Sequence, residues 1–403
     1  MKMWKNKGRA QTVVVRLLVL FAVIALFVGG VMGAYAIVIP KTVSCFSDSE
    51  VPSYLGATFE EQGESYECGS VVNLSQGQYK LFGTIPVKSV TVAKFDDVKV
   101  YVGGIPFGIK FLTKGVSVVG FDDENANPAY RAGLRLHDTI TKVNGREIAG
   151  SSDLARVAES GAEITLTYMR AGKENVLKFT PKYSESEKKY TLGLWLKDSG
   201  AGIGTMTYVL PDGSFGGLGH GICESDTGEL TPINNGSVLG VTVNGIVKGQ
   251  CGTPGELKGY FNSSKVGSIY KNCENGVFGA LAEIPDSIKG KEYSIALKDE
   301  IREGSATVIC TLADNVRCEY SIEISNINRN ATGNKCFTVK ITDEKLISQT
   351  GGIVQGMSGS PIIQNGKLVG AVTHVMINDP TTGYGIFVEN MLSQMNFSQQ
   401  NAA

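Results

Sequence analysis

A serine lies between glycines in the stretch Gly356-Met357-Ser358-Gly359-Ser360-Pro361. The stretch leads into the apolar pair Ile362-Ile363, a turn over residues 364–367 and a further β-like run. Glycines allow backbone angles that other residues avoid, and neighbouring amides can then point at a developing oxyanion. This pattern is typical of an exposed serine nucleophile, and a plain turn is the alternative.

The motif resembles the Gly-Asp-Ser-Gly-Gly-Pro pattern of chymotrypsin-like peptidases. Matched position by position, the resemblance implies that Ser358 is the nucleophile. It also implies that the amides of Gly356 and Ser358 form the oxyanion hole. Ser360 falls on the second glycine of the pattern, so we do not expect it to be the nucleophile.

A serine hydroxyl needs a base to remove its proton, and the chain has three histidines, His137, His220 and His374. In the chymotrypsin-like fold the base precedes the serine by more than a hundred residues, and His220 fits this order. It follows a glycine-rich run over residues 213–219. We expect His220 to be the base, with a structural histidine as the alternative. His374 follows the serine and is expected to line the substrate cleft.

The third member of a triad is an acid that holds the imidazole tautomer. Between His220 and Ser358 the spacing leaves several candidates open: Asp226, Asp286, Asp299, Asp314 and Asp343. Asp314 has the neighbours of a turn residue. Asp343 precedes a helix-like stretch and could simply cap it.

The N-terminal stretch predicts a membrane anchor. Residues 1–11 carry four basic residues (Lys2, Lys5, Lys7 and Arg9) and no acid, and the 23 residues from Leu17 to Ile39 carry no charge. About twenty apolar residues span a bilayer as a helix, and the basic side stays in the cytoplasm. Ala34-Tyr35-Ala36 leaves a cleaved signal peptide as the alternative. In both cases residues from about 40 onward are expected to lie outside the cytoplasm.

Length and composition predict several mostly β domains. A chain of 403 residues can form two or three cores, and 50 glycines with many Val, Ile and Thr favour short strands and turns. The net charge of −1 argues against nucleic-acid binding. We divide the chain into three parts and a polar spacer (41–87). The first part is a tail and signal-anchor helix (1–40), and the other two are called the second domain (88–186) and the third domain (187–403).

The second domain resembles a PDZ domain of the bacterial protease type. The signature is carried by Pro128-Ala129-Tyr130-Arg131-Ala132-Gly133-Leu134, Asp138-Thr139-Ile140 and Asn144-Gly145. His137 stands where a glycine is usual. PDZ domains bind an extended peptide beside a strand edge. The resemblance implies that the Phe107-Gly108-Ile109 loop receives a carboxyl terminus or an internal β-finger.

The third domain contains many short β-runs separated by glycine turns, which favours an antiparallel barrel or sandwich. Together with the serine motif, this predicts a chymotrypsin-like double β-barrel with its active site in the cleft between the barrels.

All eight cysteines follow the predicted anchor, and an exported chain permits disulfides. Cys310 and Cys318 flank a predicted hairpin, so a cross-strand bridge is plausible, and free thiols are the alternative. Without any Cys-x-x-Cys motif we predict neither a zinc site nor a cofactor.

The whole chain, with anchor, PDZ domain and peptidase domain, resembles the stage IV sporulation protein B family of membrane-attached serine peptidases. The motifs are Gly216-Gly217-Leu218-Gly219-His220, residues 342–363 and residues 371–380. The resemblance implies His220 as base, Asp343 as acid and Ser358 as nucleophile. It also implies location in the forespore intermembrane space, self-cleavage, and cleavage of a membrane-bound regulator of an intramembrane protease that activates a late sigma factor.

A catalytically silent PDZ scaffold that tethers partners at the membrane is the alternative function. The presence of both His220 and Ser358 argues against it, because a scaffold needs neither side chain.

Overall fold

The computed structural model forms two compact units. The first contains Met1–Val98 with Leu297–Asp299, and the second contains Lys99–Ala296 with Glu300–Met395. The structure describes residues 2–63, 66–67, 71–224 and 228–395.

The chain begins with helix α1, Lys2–Val38. Within it, Val15–Val38 has a mean hydropathy of 2.7, and by length and composition this segment is a candidate membrane span. The predicted N-terminal apolar helix is confirmed.

Residues 41–87 do not form the predicted irregular spacer, because most of them belong to a five-stranded sheet. Its strands are β1 (Thr42–Phe46), β2 (Ala57–Glu61), β3 (Tyr66–Glu67), β4 (Val72–Leu81) and β5 (Ile85–Phe95). The order along the sheet is β1-β5-β4-β2, with β3 also beside β4. Tyr79 is fully buried, and its ring lies 5.4 Å from Tyr54 and 5.7 Å from Phe59. Buried residues alternate with exposed polar ones along these strands and together form a core. The composition of the segment does not reveal this alternation.

The chain continues with a short strand, β6 (Lys99–Val102), which lies outside the PDZ domain. The next elements build the PDZ domain. They are β7 (Pro106–Phe121), α2 (Pro128–Arg131), β8 (Thr139–Val143), β9 (Arg146–Glu147), α3 (Ser151–Ala158), β10 (Ile164–Arg170), β11 (Lys173–Phe179), β12 (Lys182–Ser184) and β13 (Lys189–Thr191). Its core packs around Leu154, Ile140 and Leu166, all fully buried. His137 has a φ of +68°, which explains why glycine is usual at this position.

Six strands close the first barrel of the peptidase domain. The chain continues with β14 (Leu194–Val209), β15 (Ser214–Gly217), β16 (Ile233–Val247), β17 (Glu256–Cys273) and β18 (Gly276–Leu281). The pairings run β7-β16-β17-β18-β15-β14 and return from β14 to β7. Phe107, Phe215 and Val277 lie in its core.

The second barrel is also closed by six strands. The remaining elements are β19 (Glu292–Ser294), β20 (Gly304–Thr311), β21 (Arg317–Ser325), β22 (Phe337–Ile341), α4 (Glu344–Thr350), β23 (Pro361–Gln364), β24 (Lys367–Met376), β25 (Asp379–Phe387) and α5 (Val388–Leu392). The barrel order is β20-β21-β22-β25-β24-β23. In β21, Tyr320, Ile322 and Ile324 are buried at every second position, as a strand with one face in a core requires. The predicted mostly β fold with β-barrels is confirmed.

The PDZ domain and the first barrel share strands, so the sheet does not divide at residue 186. The first half of β7, up to Thr113, pairs with β16 of the barrel, and its second half pairs with β8 of the PDZ domain. In β14, residues near Leu194 pack on the PDZ core, whereas Met206 and Val209 lie in the barrel core. The PDZ domain is therefore inserted between two barrel strands, a topology that a division in chain order does not anticipate.

The sheet of residues 42–95 generates a test of its core. Tyr79→Ala removes a ring that is fully buried and a hydroxyl that donates to Pro52 O at 2.6 Å. Large-to-small changes at such aromatic sites cost about 3–5 kcal/mol. We expect limited proteolysis to cut Tyr79→Ala rapidly between residues 42 and 95. Phe82→Ala is the matched control, because the Phe82 side chain is 82% exposed. Equal resistance of both variants would contradict a packed core here.

Candidate active site

The loop that carries Ser358 joins α4 to β23 and depends on two glycines. Gly356 and Gly359 have φ values of +97° and +94°. A Cβ on Gly359 would lie 2.0 Å from Thr205 O, so no larger residue fits there without displacement. Met357 is fully buried and anchors the loop between them. Ser358 is thus held on a tight turn, as the motif predicts.

Strand β14 holds the carbonyl groups of this loop. Thr205 N donates to Ser358 O at 2.9 Å, and Thr205 Oγ1 donates to Gly356 O at 2.7 Å. The amides of Gly356 and Ser358 donate to no residue that the structure describes. Two free amides flanking a serine can receive the negative charge of a tetrahedral intermediate.

His220 follows β15 through two residues with positive φ, Leu218 at +61° and Gly219 at +67°. Its Nδ1 lies 2.8 Å from Gly221 O. Because a carbonyl only accepts, Nδ1 carries the proton and Nε2 keeps its lone pair. Burial lowers the pKa of the His220 imidazole from its usual 6.5, and the bond to Gly221 O acts in the opposite direction. The side chain is therefore a neutral imidazole with a free basic nitrogen.

The hydroxyl of Ser358 donates to Thr373 O at 2.7 Å. No hydrogen bond joins it to His220 in this structure. The catalytic hydrogen bond often forms only when substrate binds. Ser358 must leave the Thr373 carbonyl before its proton can pass to a base.

His374 lies beside His220, with ring centroids 4.8 Å apart and planes inclined by 36°. The pKa of His374 is lowered to about 4, chiefly by burial and further by His220 and Lys335. Its Nδ1 is buried and has no partner among the described residues. Both histidines line one cavity of about 520 Å³. This position is compatible with the cleft-lining role expected from its place in the chain.

Among the residues that the structure describes, no acid is hydrogen-bonded to His220. Asp343 is the N-cap of α4: its Oδ1 accepts from Leu346 N at 3.0 Å, and its Oδ2 accepts from Ser321 N at 3.3 Å. Asp314 accepts from Val316 N in a turn, as its neighbours predict. No carboxylate in the described part of the chain hydrogen-bonds His220. The candidate Asp226 lies outside the described residues.

The predicted peptide-receiving loop at Phe107-Gly108-Ile109 is wrong. These residues lie inside β7, where β14 pairs with one edge and β16 with the other. Phe107 and Ile109 are 2% exposed in the barrel core. A strand with both edges paired has no free backbone groups for a peptide.

The corresponding loop is Leu192-Gly193-Leu194, which enters β14 beside α3. A cavity of about 380 Å³ lies there, lined by Ala155 and Ala158 of α3 and by Leu194 and Leu196 of β14, among others. The amides of Leu192 and Gly193 donate to no described residue, and Gly193 has a φ of +61°. The buried Asn127 side chain donates to Leu192 O at 3.0 Å and Gly193 O at 2.8 Å, which fixes the loop. The missed signal was this second glycine between two large apolar residues, which follows the last PDZ strand.

Cys310 and Cys318 are directly opposite each other in the hairpin of β20 and β21, as predicted, and both thiols are free. Cys68 lies outside the described residues. In the described parts of the chain, no three His, Cys, Asp or Glu side chains are grouped to hold a metal ion.

Two solved structures similar to this chain are crystal forms of the Rv3671c protease of Mycobacterium tuberculosis. The inactive form is 15% identical, covering 48% of this chain and 82% of that chain with a TM-score of 0.29. The active form is 16% identical, covering 49% and 74% with a TM-score of 0.27. The PDZ domain of the SdrC-like protein from Listeria monocytogenes is 20% identical, covering 21% and 87% with a TM-score of 0.19.

Among curated proteins, one from Neisseria meningitidis serogroup A, whose name describes it as a zinc metalloprotease, is 33% identical over 95 residues. The match covers 23% of this chain and 20% of that protein, so the chain spans about a fifth of that relative.

Two family models match the chain in the order of its domains. The PDZ domain model matches residues 103–180, inside the second unit. The SpoIVB peptidase S55 model matches residues 188–392, slightly more than half of the chain, and these residues include His220 and Ser358. The chain therefore belongs to the SpoIVB peptidase S55 family and is a serine peptidase.

Proposed function

We propose that this chain is a membrane-attached serine endopeptidase in which Ser358 is the nucleophile and His220 the base. The observation that carries the proposal is the loop geometry: the free amides of Gly356 and Ser358 flank a serine whose loop is held by Thr205. Neutral His220 supports it, since its Nε2 has no proton and can accept one.

The reaction follows from these groups. Ser358 Oγ attacks the peptide carbonyl while His220 Nε2 takes the hydroxyl proton, and the amides of Gly356 and Ser358 stabilise the oxyanion. As the intermediate collapses, the leaving amine takes that proton from His220. Water then attacks the acyl-enzyme by the same route and releases the second product, which restores the free serine.

We further propose that the peptidase acts outside the cytoplasm, on itself and on a membrane-bound regulator of an intramembrane protease during sporulation. The apolar segment Val15–Val38 and the basic residues before it support this orientation. Family membership supports the signalling role. A silent PDZ scaffold would not need the neutral His220 or the free amides beside Ser358.

The first test replaces the nucleophile. The full chain in detergent should clip itself and react with a fluorophosphonate, and Ser358→Ala should lose both properties, because alanine has no hydroxyl to acylate. Intact-mass spectrometry follows both. Ser360→Ala is the matched control: Ser360 is fully buried and its Oγ faces no partner that the structure describes, so we expect labelling to persist. Labelling of Ser358→Ala at the parent rate would refute the assignment.

A second test separates the two roles of Asp343. Asparagine caps a helix as well as aspartate does, whereas alanine costs about 1 kcal/mol at an N-cap. If Asp343 is the triad acid, Asp343→Asn should lower the melting temperature less than Asp343→Ala, because its one oxygen still caps α4 although it cannot also accept from Ser321 N. It should lower kcat by up to about 10⁴-fold, as loss of the correct histidine tautomer does elsewhere. Unchanged kcat in Asp343→Asn, with a lower melting temperature in Asp343→Ala, would assign it to the cap alone.

The third test uses pH. The base must be neutral to act, and burial lowers the pKa of His220 below 6.5. The imidazole therefore stays neutral as the pH falls through 6.5, and kcat/KM for a small ester should reach half its plateau below pH 6.5. A midpoint above 6.5 would instead mean that a carboxylate faces His220 in the working enzyme.

A further inference from the structure

Strand β14 joins the peptide groove of the PDZ domain to the catalytic loop, and one of its edges is open. From Leu194 to Thr205 it pairs with β7. On the opposite edge, β15 begins to pair only at Met206. No other described strand pairs with β14 between these points.

The open edge ends at Ser358. Thr205 N donates to Ser358 O at 2.9 Å, and Thr205 O accepts from Leu218 N at 3.2 Å, so both groups of Thr205 face this edge. In an antiparallel strand, alternate residues present their backbone groups to the same edge. The register with β7 is regular from Ser199 to Thr205, so Ala201 and Ile203 face the open edge too.

This edge faces the catalytic cavity. Gly200, Ala201, Gly202 and Ile203 line the cavity of about 520 Å³ that also contains His220 and His374. A peptide strand paired with this part of β14 therefore lies beside the catalytic histidine.

The other end of the edge is suited to a chain terminus. The free amides of Leu192 and Gly193 precede Leu194, beside the cavity of about 380 Å³ under α3. Consecutive free amides at a loop capture a terminal carboxylate. A peptide that places its carboxylate there and runs antiparallel to β14 extends its earlier residues towards Thr205.

The groove also has a charge preference. Three carboxylates line it, those of Asp122, Glu159 and Glu187, against the single cation of Lys189. The residues just before the bound terminus should therefore be neutral or basic.

We propose that the preferred substrate is the extended carboxyl-terminal tail of a protein, added as a strand along β14 and cut at a fixed distance from its end. With about 3.3 Å per residue, the stretch from Leu194 to Thr205 spans about 36 Å, or about eleven residues of the tail. The ladder with β7 shifts register at Trp195/Leu196 and at Lys197/Ser199 along this stretch. The inference rests on the proposed function, because it takes Ser358 as the point of attack.

The test uses peptides with tails of defined length. Carboxymethylated lactalbumin first reveals a bond that the full-chain enzyme in detergent cuts. The eight residues around that bond are then placed four, ten or sixteen residues before a free carboxyl end, in tails of Gly, Ser and Lys that end in Leu. The ten-residue peptide is also made with an amidated end.

We expect kcat/KM for the ten-residue tail to exceed that for the four-residue tail at least about tenfold, because a tether that cannot span two sites gives no effective concentration. The kcat/KM for the sixteen-residue tail should lie between these two values, since a longer tether lowers the effective concentration. Amidation of the ten-residue tail should lower its kcat/KM to the value for the four-residue tail. Equal kcat/KM for all free-acid tails, or no effect of amidation, would overturn the proposal.

Binding is followed separately from cleavage. The chain has two tryptophans, and Trp4→Phe leaves only Trp195, which is 66% exposed and lines the groove. The free-acid peptide should change Trp195 fluorescence, and the amidated peptide should do so only at higher concentration.

Fluorophosphonate labelling distinguishes a failure of the proposed function from a failure of the strand-addition proposal. If Ser358 is labelled but cleavage ignores tail length, or no tailed peptide is cut, only the strand-addition proposal fails. If Ser358 is not labelled, the proposed function fails and the strand-addition proposal fails with it.

Discussion

The contact between Thr205 and the nucleophile loop determines how the peptidase can work. Thr205 lies on the first barrel and holds the carbonyls of Gly356 and Ser358 through its backbone amide and its hydroxyl. The amide of Gly356 shares its peptide unit with Gln355 O, which accepts from Leu257 N of the first barrel at 2.8 Å. The amide of Ser358 shares its unit with Met357 O, which accepts from Ser360 N at 2.9 Å. Gly359 lets this approach occur, because a Cβ there would collide with Thr205 O. The loop that carries the proposed oxyanion amides is therefore held by hydrogen bonds from the first barrel as well as by its own.

Burial sets the protonation state of the two histidines beside Ser358. The imidazoles of His220 and His374 lie 4.8 Å apart, and two cations at this distance in a buried cavity would repel strongly. Burial keeps both neutral, so His220 is unprotonated at rest and can accept the proton of the serine hydroxyl. The hydroxyl of Ser358, however, is bonded to Thr373 O, one residue before His374. Movement of that short segment of β24 would change the serine and the neighbouring histidine together.

Local motifs were predictable, and features that depend on distant pairing were not. The glycines around Ser358, the order of His220 and Ser358, and the PDZ signature each depend on a few adjacent residues. The peptide loop required a choice between Phe107-Gly108-Ile109 and Leu192-Gly193-Leu194, which are nearly equivalent as sequences. Only the pairing of both edges of β7 excludes the first, and that pairing comes from β14 and β16, far away in the chain. The prediction of a spacer over residues 41–87 was wrong for a related reason, since the polar composition of this segment hides buried residues that alternate with exposed ones.

The shared strands also explain how a PDZ domain can position a peptide for a peptidase without contacting its catalytic residues. In a chain of separate domains, a bound peptide would only be held near the active site at the end of a flexible linker. Here β7 and β14 pass from one core into the other with no linker. Their ladder is regular from Ser199 to Thr205, next to the catalytic cavity, and it shifts register at Lys197/Ser199, where the strands enter the PDZ domain. Paired strands resist bending within their sheet far more than a single chain does. The groove and Ser358 are therefore joined by one paired strand, and strand addition along it relates the position of a cut to the end of a bound chain.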